Sequence, residues 1–282
     1  MKRCAAILLT LLLCGRAQAD WQADWQVDGE AGAGYDDNAN NWSDFDDRRE
    51  SPFEFATVNL TRHFWPASSV RLDLRGGLAG EHWEKLSGLS NARASGGVRV
   101  FARPGAEFEA PTVVLSGTVS TWQFDSDLRD GNEVRVSLAL LQPLTTELSA
   151  RLTAGANWRD ADSDVFDLST HNVGVGLEWR VSDAWLIYGG DQLIMGDVVS
   201  SGPARPSVAA LAHAKGDDDA FPGEGFVAYR VDARTQLATL GATFGLSRNW
   251  SLDGRVQHAD SLAVAGERYR RWITTASVLA RF

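Results

Sequence analysis

The sequence predicts an all-β protein, a transmembrane antiparallel up-and-down β-barrel of about 12 strands. Three observations predict it. Apolar and polar residues alternate in many segments of ten or so residues separated by turn signals. No stretch after the first 20 residues is apolar enough for a membrane helix, yet 27 Gly, 11 Trp and 12 Phe accompany the alternation. Long and short connections also follow one another in turn, as a barrel with one end outside the cell requires.

Met1-Lys2-Arg3 is basic, Ala5 to Leu13 is apolar, and Ala17-Gln18-Ala19 has the small-x-small form of a signal-peptidase site. Residues 1–19 are therefore expected to be a removed signal peptide, and 20–282 the barrel. Cys4 and Cys14, the only cysteines, fall in the removed segment, so disulfides are not expected. Subtracting Lys2, Arg3 and Arg16 from 27 basic residues leaves 24 against 37 acidic ones, a net charge of 24 − 37 = −13. That balance argues against nucleic acid as a partner.

The first strand, about Trp25 to Tyr35, sets Trp25, Val27, Ala31, Ala33 and Tyr35 against Gln26, Asp28 and Glu30. The second (about Phe53 to Phe64) and third (about Val70 to Trp83) flank the turn Pro66-Ala67-Ser68-Ser69. In the third, Leu72, Leu74 and Leu78 alternate with Arg71, Asp73, Arg75 and Glu81. The fourth (about Ala92 to Ala102) alternates Val98 and Val100 with Arg93 and Arg99. The fifth (about Thr112 to Phe124) sets Val113, Leu115 and Val119 against Ser116, Thr118 and Ser120.

The sixth (about Asn132 to Gln142) and seventh (about Leu148 to Trp158) place Val134, Val136, Leu138 and Leu152 opposite Arg135 and Arg151. The eighth (about Leu168 to Trp179) places Val173, Val175 and Leu177 opposite Asn172 and Glu178, and turns at Val181-Ser182-Asp183 into the ninth, about Trp185 to Met195. Alternation then stops from Gly196 to Asp232, the longest expected connection and an extracellular loop. The last three strands run from about Arg234 to Leu246, Trp250 to His258 and Tyr269 to Phe282. Both termini are expected on the periplasmic side. Two aromatic girdles are expected, Phe64, Trp65, Phe101, Trp179, Trp185, Trp250 and Phe282 near the turns, and Tyr35, Trp83, Trp122, Trp158 and Trp272 near the loops.

The inward faces carry Arg71, Asp73, Arg75, Glu81, Arg99, Arg135, Arg151, Glu178, Asp253 and Arg255. Either these form a solute path whose guanidinium forks attract anionic groups, or they pair and fill the lumen. The outer loops are acidic, and the alternate carboxylates Asp160, Asp162 and Asp164 are weak candidates for calcium, but the Gly and distal Glu of a helix-loop-helix calcium loop are missing. An acidic, solvated rim facing lipopolysaccharide is the preferred account of them. Of the five histidines, His63, His82, His171, His213 and His258, none is followed two residues later by the Ser of an outer-membrane phospholipase. No catalytic residue, cofactor or metal is therefore expected, although a rim protease built from Asp and His has the residue types it needs.

The closing alternation of Thr274, Ala276, Val278, Ala280 and Phe282 resembles the last strand of bacterial outer-membrane barrels, in which a terminal Phe is read by the barrel-assembly machinery. Gly32-Ala33-Gly34-Tyr35-Asp36-Asp37-Asn38-Ala39-Asn40 is similar to the Gly-Tyr-Asp-x-Asn-x-Asn opening of barrels linked to exopolysaccharide loci and of the barrel in surface-lipoprotein assembly modifiers. The motifs cover about a tenth of the chain. The resemblance implies outer-membrane lipid and lipopolysaccharide as surroundings, and an exported polysaccharide or lipoprotein as cargo. The assembly modifiers carry a helical-repeat periplasmic domain before the barrel, whereas about five residues separate Asp20 from the first strand here. Two functional readings follow: a narrow passive channel or export pore, and a non-conducting surface barrel that binds a partner through its acidic loops.

Overall fold

The computed structural model describes residues 23–221 and 225–282; the expected signal peptide lies outside them. Twelve long strands close into an antiparallel barrel: β1 (Ala23–Asp36), β2 (Ser51–Ala67), β3 (Val70–Trp83), β4 (Asn91–Ala102), β5 (Thr112–Phe124), β6 (Gly131–Pro143), β7 (Leu148–Ala161), β8 (Leu168–Arg180), β9 (Trp185–Pro203), β11 (Phe226–Gly245), β12 (Trp250–Ala263) and β13 (Arg268–Arg281). A four-residue strand, β10 (Ala214–Asp217), pairs with β11 beyond the reach of β12, and a single helical turn, α1 (Pro206–Ala209), precedes it.

Each barrel strand pairs with its neighbours in sequence, and β1 pairs with β13 to close the cylinder. The backbones of Val27 and Phe282 exchange two hydrogen bonds, of 2.8 and 2.9 Å, so the ladder of this seam runs to the last residue. Closure leaves none of the twelve with an open edge through the body of the wall.

Three turns share one chemistry. In Leu144-Thr145, Val181-Ser182 and Leu246-Ser247, both backbone amides donate to the carbonyl four residues beyond the first, that of Leu148, Trp185 and Trp250. The hydroxyl at the second position accepts from amides two or three residues on: Glu147 and Leu148, Ala184 and Trp185, and Asn249. Ser and Thr thus supply the acceptor that the sharply bent backbone lacks. The turn between β2 and β3 is two residues long and carries a bulge between Phe64 and Ala67.

Leu74, Leu78, Val119, Leu138, Leu152, Val175 and Leu240 are exposed on the outer wall, while the intervening residues of the same strands line the lumen. An ordinary soluble sheet does not leave such a belt in water; this one is made for hydrocarbon. Trp25, Phe64, Trp179, Trp185 and Trp250 edge the belt at the turn end, with Arg62 lying over Trp25 and Phe64. Tyr35, Trp158 and Trp272 edge it at the loop end. Trp83, Trp122 and Phe101 depart from the expected girdles. They share the parity of Glu81, Ser120 and Arg99 on their own strands and therefore point inward, Phe101 lying under the Arg71 guanidinium at 3.9 Å.

The stretch from Gly196 to Asp232 is also not one loop. β9 continues to Pro203 and β11 begins at Phe226, and the two remain paired from Trp185↔Phe244 to Pro203↔Phe226. Pattern reading misses this extension because it rises above the apolar belt and is covered on both faces, so period-two alternation disappears.

Candidate functional site

The β9–β11 extension leans over the loop end of the barrel and is packed there as a lid. Tyr229 and Val231 of β11 bury against Trp42 from the β1–β2 loop and Val208 of α1, with Trp42 stacked on Tyr229 at 6.2 Å. In a second cluster Ala220, Phe221 and Phe226 pack on Phe53 of β2, Trp83 of β3, and Leu86 and Leu89 of the β3–β4 loop. Ala228 is covered by Val165 and Phe166 from the β7–β8 loop. These three apolar clusters hold most of the buried apolar side chains of the described residues, and all lie at this end. Burial of apolar side chains is the strongest force available here, since the lumen is polar.

Polar contacts tie the same lid to the other loops. Asn40 donates to the Ser201 carbonyl at 2.8 Å and Asn41 to the Val199 carbonyl at 3.2 Å. Arg129 of the β5–β6 loop bonds Asp218 at 2.6 Å, and the hydroxyls of Ser201 and Ser126 donate to Asp218 and Asp219. Arg205 bonds Glu267 of the β12–β13 loop at 3.1 Å as well as Asp44, while Arg230 approaches Asp167 at 3.6 Å. Paired with those two carboxylates, the Arg205 guanidinium is held above its ordinary pKa, burial opposing them. Gly202 permits a close approach: a Cβ there would lie 2.3 Å from the Trp42 ring.

Below the lid, the structure places all ten expected lumen charges on inward-facing positions, but it does not pair them throughout. Arg135 bonds Glu133 at 3.0 Å, and Arg151 bonds Glu178 at 3.0 Å. Asp73 stands opposite Arg99 in register, yet its carboxylate is taken by His63 Nδ1 at 2.7 Å and Arg71 Nε at 3.0 Å. Asp253 accepts from Tyr188 at 2.9 Å and Thr243 at 2.7 Å rather than from an Arg. Arg75 donates to Asn59 at 3.1 Å. Among the described residues no carboxylate lies within ion-pair distance of Arg75, Arg93, Arg99 or Arg255.

A cavity of about 320 Å³ opens in the lumen beneath the lid, walled by Phe53, Phe55, Trp83 and Trp122 on one side and by Arg93, Arg255 and Arg271 on others. The sequence reading put Arg93 on the polar face of its strand but left it out of the lumen charges, and it missed Arg271 and this aromatic wall. Strand parity alone would have located all of them. A second, larger concavity of about 1100 Å³ lies on the outer wall among Leu140, Leu152, Leu177 and Ile187, where lipid tails pack.

Asp160, Asp162 and Asp164 do not converge. Asp160 ends on the outer face of β7 and Asp164 begins a 3-10 turn. The acidic and imidazole groups that do gather among the described residues are Asp197, His213 and Asp232, with His213 Nδ1 3.5 Å from Asp197 and Nε2 3.4 Å from Asp232. Each ring nitrogen faces a different carboxylate, an arrangement that clasps the imidazole between them. His82 and Ser90 approach to 3.5 Å, but the Ser90 hydroxyl accepts from the Trp83 amide, and among the described residues no third group orients the ring toward it as a base.

No protein-family model matches the chain, and no curated protein matches it in sequence. Solved structures do match. An outer-membrane channel from Pseudomonas putida F1 superimposes with a TM-score of 0.58 at 11% identity, over 94% of this chain and 97% of that one. The fold is that of an outer-membrane channel barrel. The NanC porin is similar with a TM-score of 0.50 at 8% identity, over 89% and 98% of the two chains. The likeness is one of fold, and the exposed apolar belt of this barrel is suited to lipid. One of these structures is named as a channel and the other as a porin.

Proposed function

We propose that this barrel is a narrow passive channel for small anionic solutes, with its turns on the periplasmic side and its lid facing outward. One observation carries the reading: Arg75, Arg93, Arg99 and Arg255 face the lumen with no carboxylate to neutralise them, although acidic side chains were available within the same wall. Guanidinium groups kept unpaired in a confined, partly dehydrated passage attract carboxylates and phosphates and repel cations. The likeness to solved channels supports the same reading. The resemblance to polysaccharide and lipoprotein export barrels is less well supported, because the cavity beneath the lid accommodates a single ring rather than a polymer.

Planar-bilayer recording under a salt gradient tests the proposal. The expected result is a reversal potential of the sign for anions, shifted toward cations in the Arg75→Glu/Arg99→Glu variant. The packed lid favours a second reading, a surface barrel that binds a partner and conducts nothing. Silence of both the natural protein and a lid-opened variant would overturn the channel and favour that reading.

A further inference from the structure

We propose that the cavity beneath the lid is a binding station for a hydroxylated ring that carries one carboxylate or phosphate. The inference rests on the channel reading and names the solute that the channel would hold. Two buried donors without an acceptor line this one cavity, Arg255 Nε and Trp122 Nε1. A buried N–H left without a partner is destabilising by roughly 1–3 kcal/mol, a cost that an acceptor on a ligand bound here would relieve. Formal charge agrees: Arg93, Arg255 and Arg271 against Asp36 and Glu81 give 3 − 2 = +1. Asp36 is bonded by Arg271 Nε at 2.6 Å, which leaves Arg93 and Arg255 as the cations open to an anion.

The rest of the lining identifies the body of the ligand. Phe53 and Trp83 stack at 4.8 Å and present an apolar wall suited to the C–H face of a ring. Thr57, Asn91, Gln257 and Thr275 add neutral groups that donate and accept, as hydroxyls require. An aromatic acid would leave these four unmatched. The volume, near the lower end of the range of about 300–1,000 Å³ for ligand sites, fits one ring.

The test uses the full barrel refolded in detergent, with glucuronate, glucose 6-phosphate, glucose and benzoate as probes and tryptophan fluorescence and equilibrium dialysis as readouts. It is run on the natural chain and on Asp218→Asn, whose loosened lid ensures access. Saturable binding of glucuronate or glucose 6-phosphate, weaker by about tenfold in Arg255→Gln and Arg93→Gln, is expected. Trp122→Phe keeps the packing, removes the N–H and should weaken binding several-fold. Heat-modifiable gel mobility shows that each variant is folded. Binding of neither anionic sugar in both hosts, equal binding of glucose, tighter binding of benzoate, or binding indifferent to Arg255 overturns the proposal. Anion conductance without binding removes the station and leaves the channel; binding without conductance removes the channel and leaves the station.

Discussion

Arg129 bonds Asp218 at 2.6 Å across the mouth of the barrel, and the Asp218 side chain has no exposed surface. The guanidinium also lies over Phe166 at 4.1 Å, so the pair joins the β5–β6 and β7–β8 loops to the lid at one point. Removing one partner of a buried pair leaves the other uncompensated, at a cost on the order of 3–5 kcal/mol. Asp218→Asn is therefore expected to loosen the lid without unfolding the wall, which closes by its own ladder. Single-channel recording should show a larger or longer-lived open state; an unchanged trace would mean that the lid is not the barrier.

Gly202 offers a steric route to the same end. A leucine there must displace the Trp42 ring, which is otherwise buried between Tyr229 and the Arg205 guanidinium. Gly202→Leu is expected to expose Trp42, seen as a red shift and stronger quenching of its fluorescence by iodide. Trp42→Phe in the same background supplies the control.

Asp191 faces lipid. It lies in β9 between Ile187 and Leu193 on the outer wall, six residues beyond Trp185, and takes its hydrogen bond from Gln236 of β11 at 3.1 Å. A carboxylate in the apolar belt is destabilising, less so than Arg or Lys, which reach roughly 2–4 kcal/mol at the midplane. Asp191→Leu with Gln236→Leu is expected to stabilise the barrel in vesicles by about 1 kcal/mol, measured by urea unfolding. Loss of stability would show instead that the pair meets a protein partner within the membrane.

The β6–β7 turn should be acid-sensitive. Hydroxyls of Thr146 and Thr145 donate to the Glu147 carboxylate and hold it below its ordinary pKa. A depressed carboxylate contributes stability that is present above its unfolded pKa and lost as pH falls through the folded one. The Glu147→Gln variant should match the natural protein in acid and lag it slightly near neutrality, in unfolding midpoints measured across that range.

The twelve strands were legible because a wall with hydrocarbon on one side and a polar lumen on the other imposes a period of two on residues such as Val70 to Glu81. The same period placed Trp83, Trp122 and Phe101 inside, against the habit of assigning aromatics near a strand end to a girdle; position along the strand says how deep a ring sits, while parity says which side. Legibility failed from Gly196 to Asp232, where strands buried on both faces carry no alternation. Pairing within the lumen was equally hidden. Asp73 and Arg99 are neighbours in register, yet His63 and Arg71 take the carboxylate, a choice made by side-chain reach and not by sequence.

The seam between β1 and β13 bears on how the barrel is made. Eleven pairings join strands that follow one another in sequence, whereas Val27 meets Phe282 from the other end of the chain. That contact spans most of the chain, the kind whose loop-closure entropy makes it slow. Until it forms, the partial sheet carries two bare edges that can template pairing with another copy. Assembly of this protein is thus exposed to aggregation longest at its final step, and the residues of the seam are where a delay in closure would do most harm.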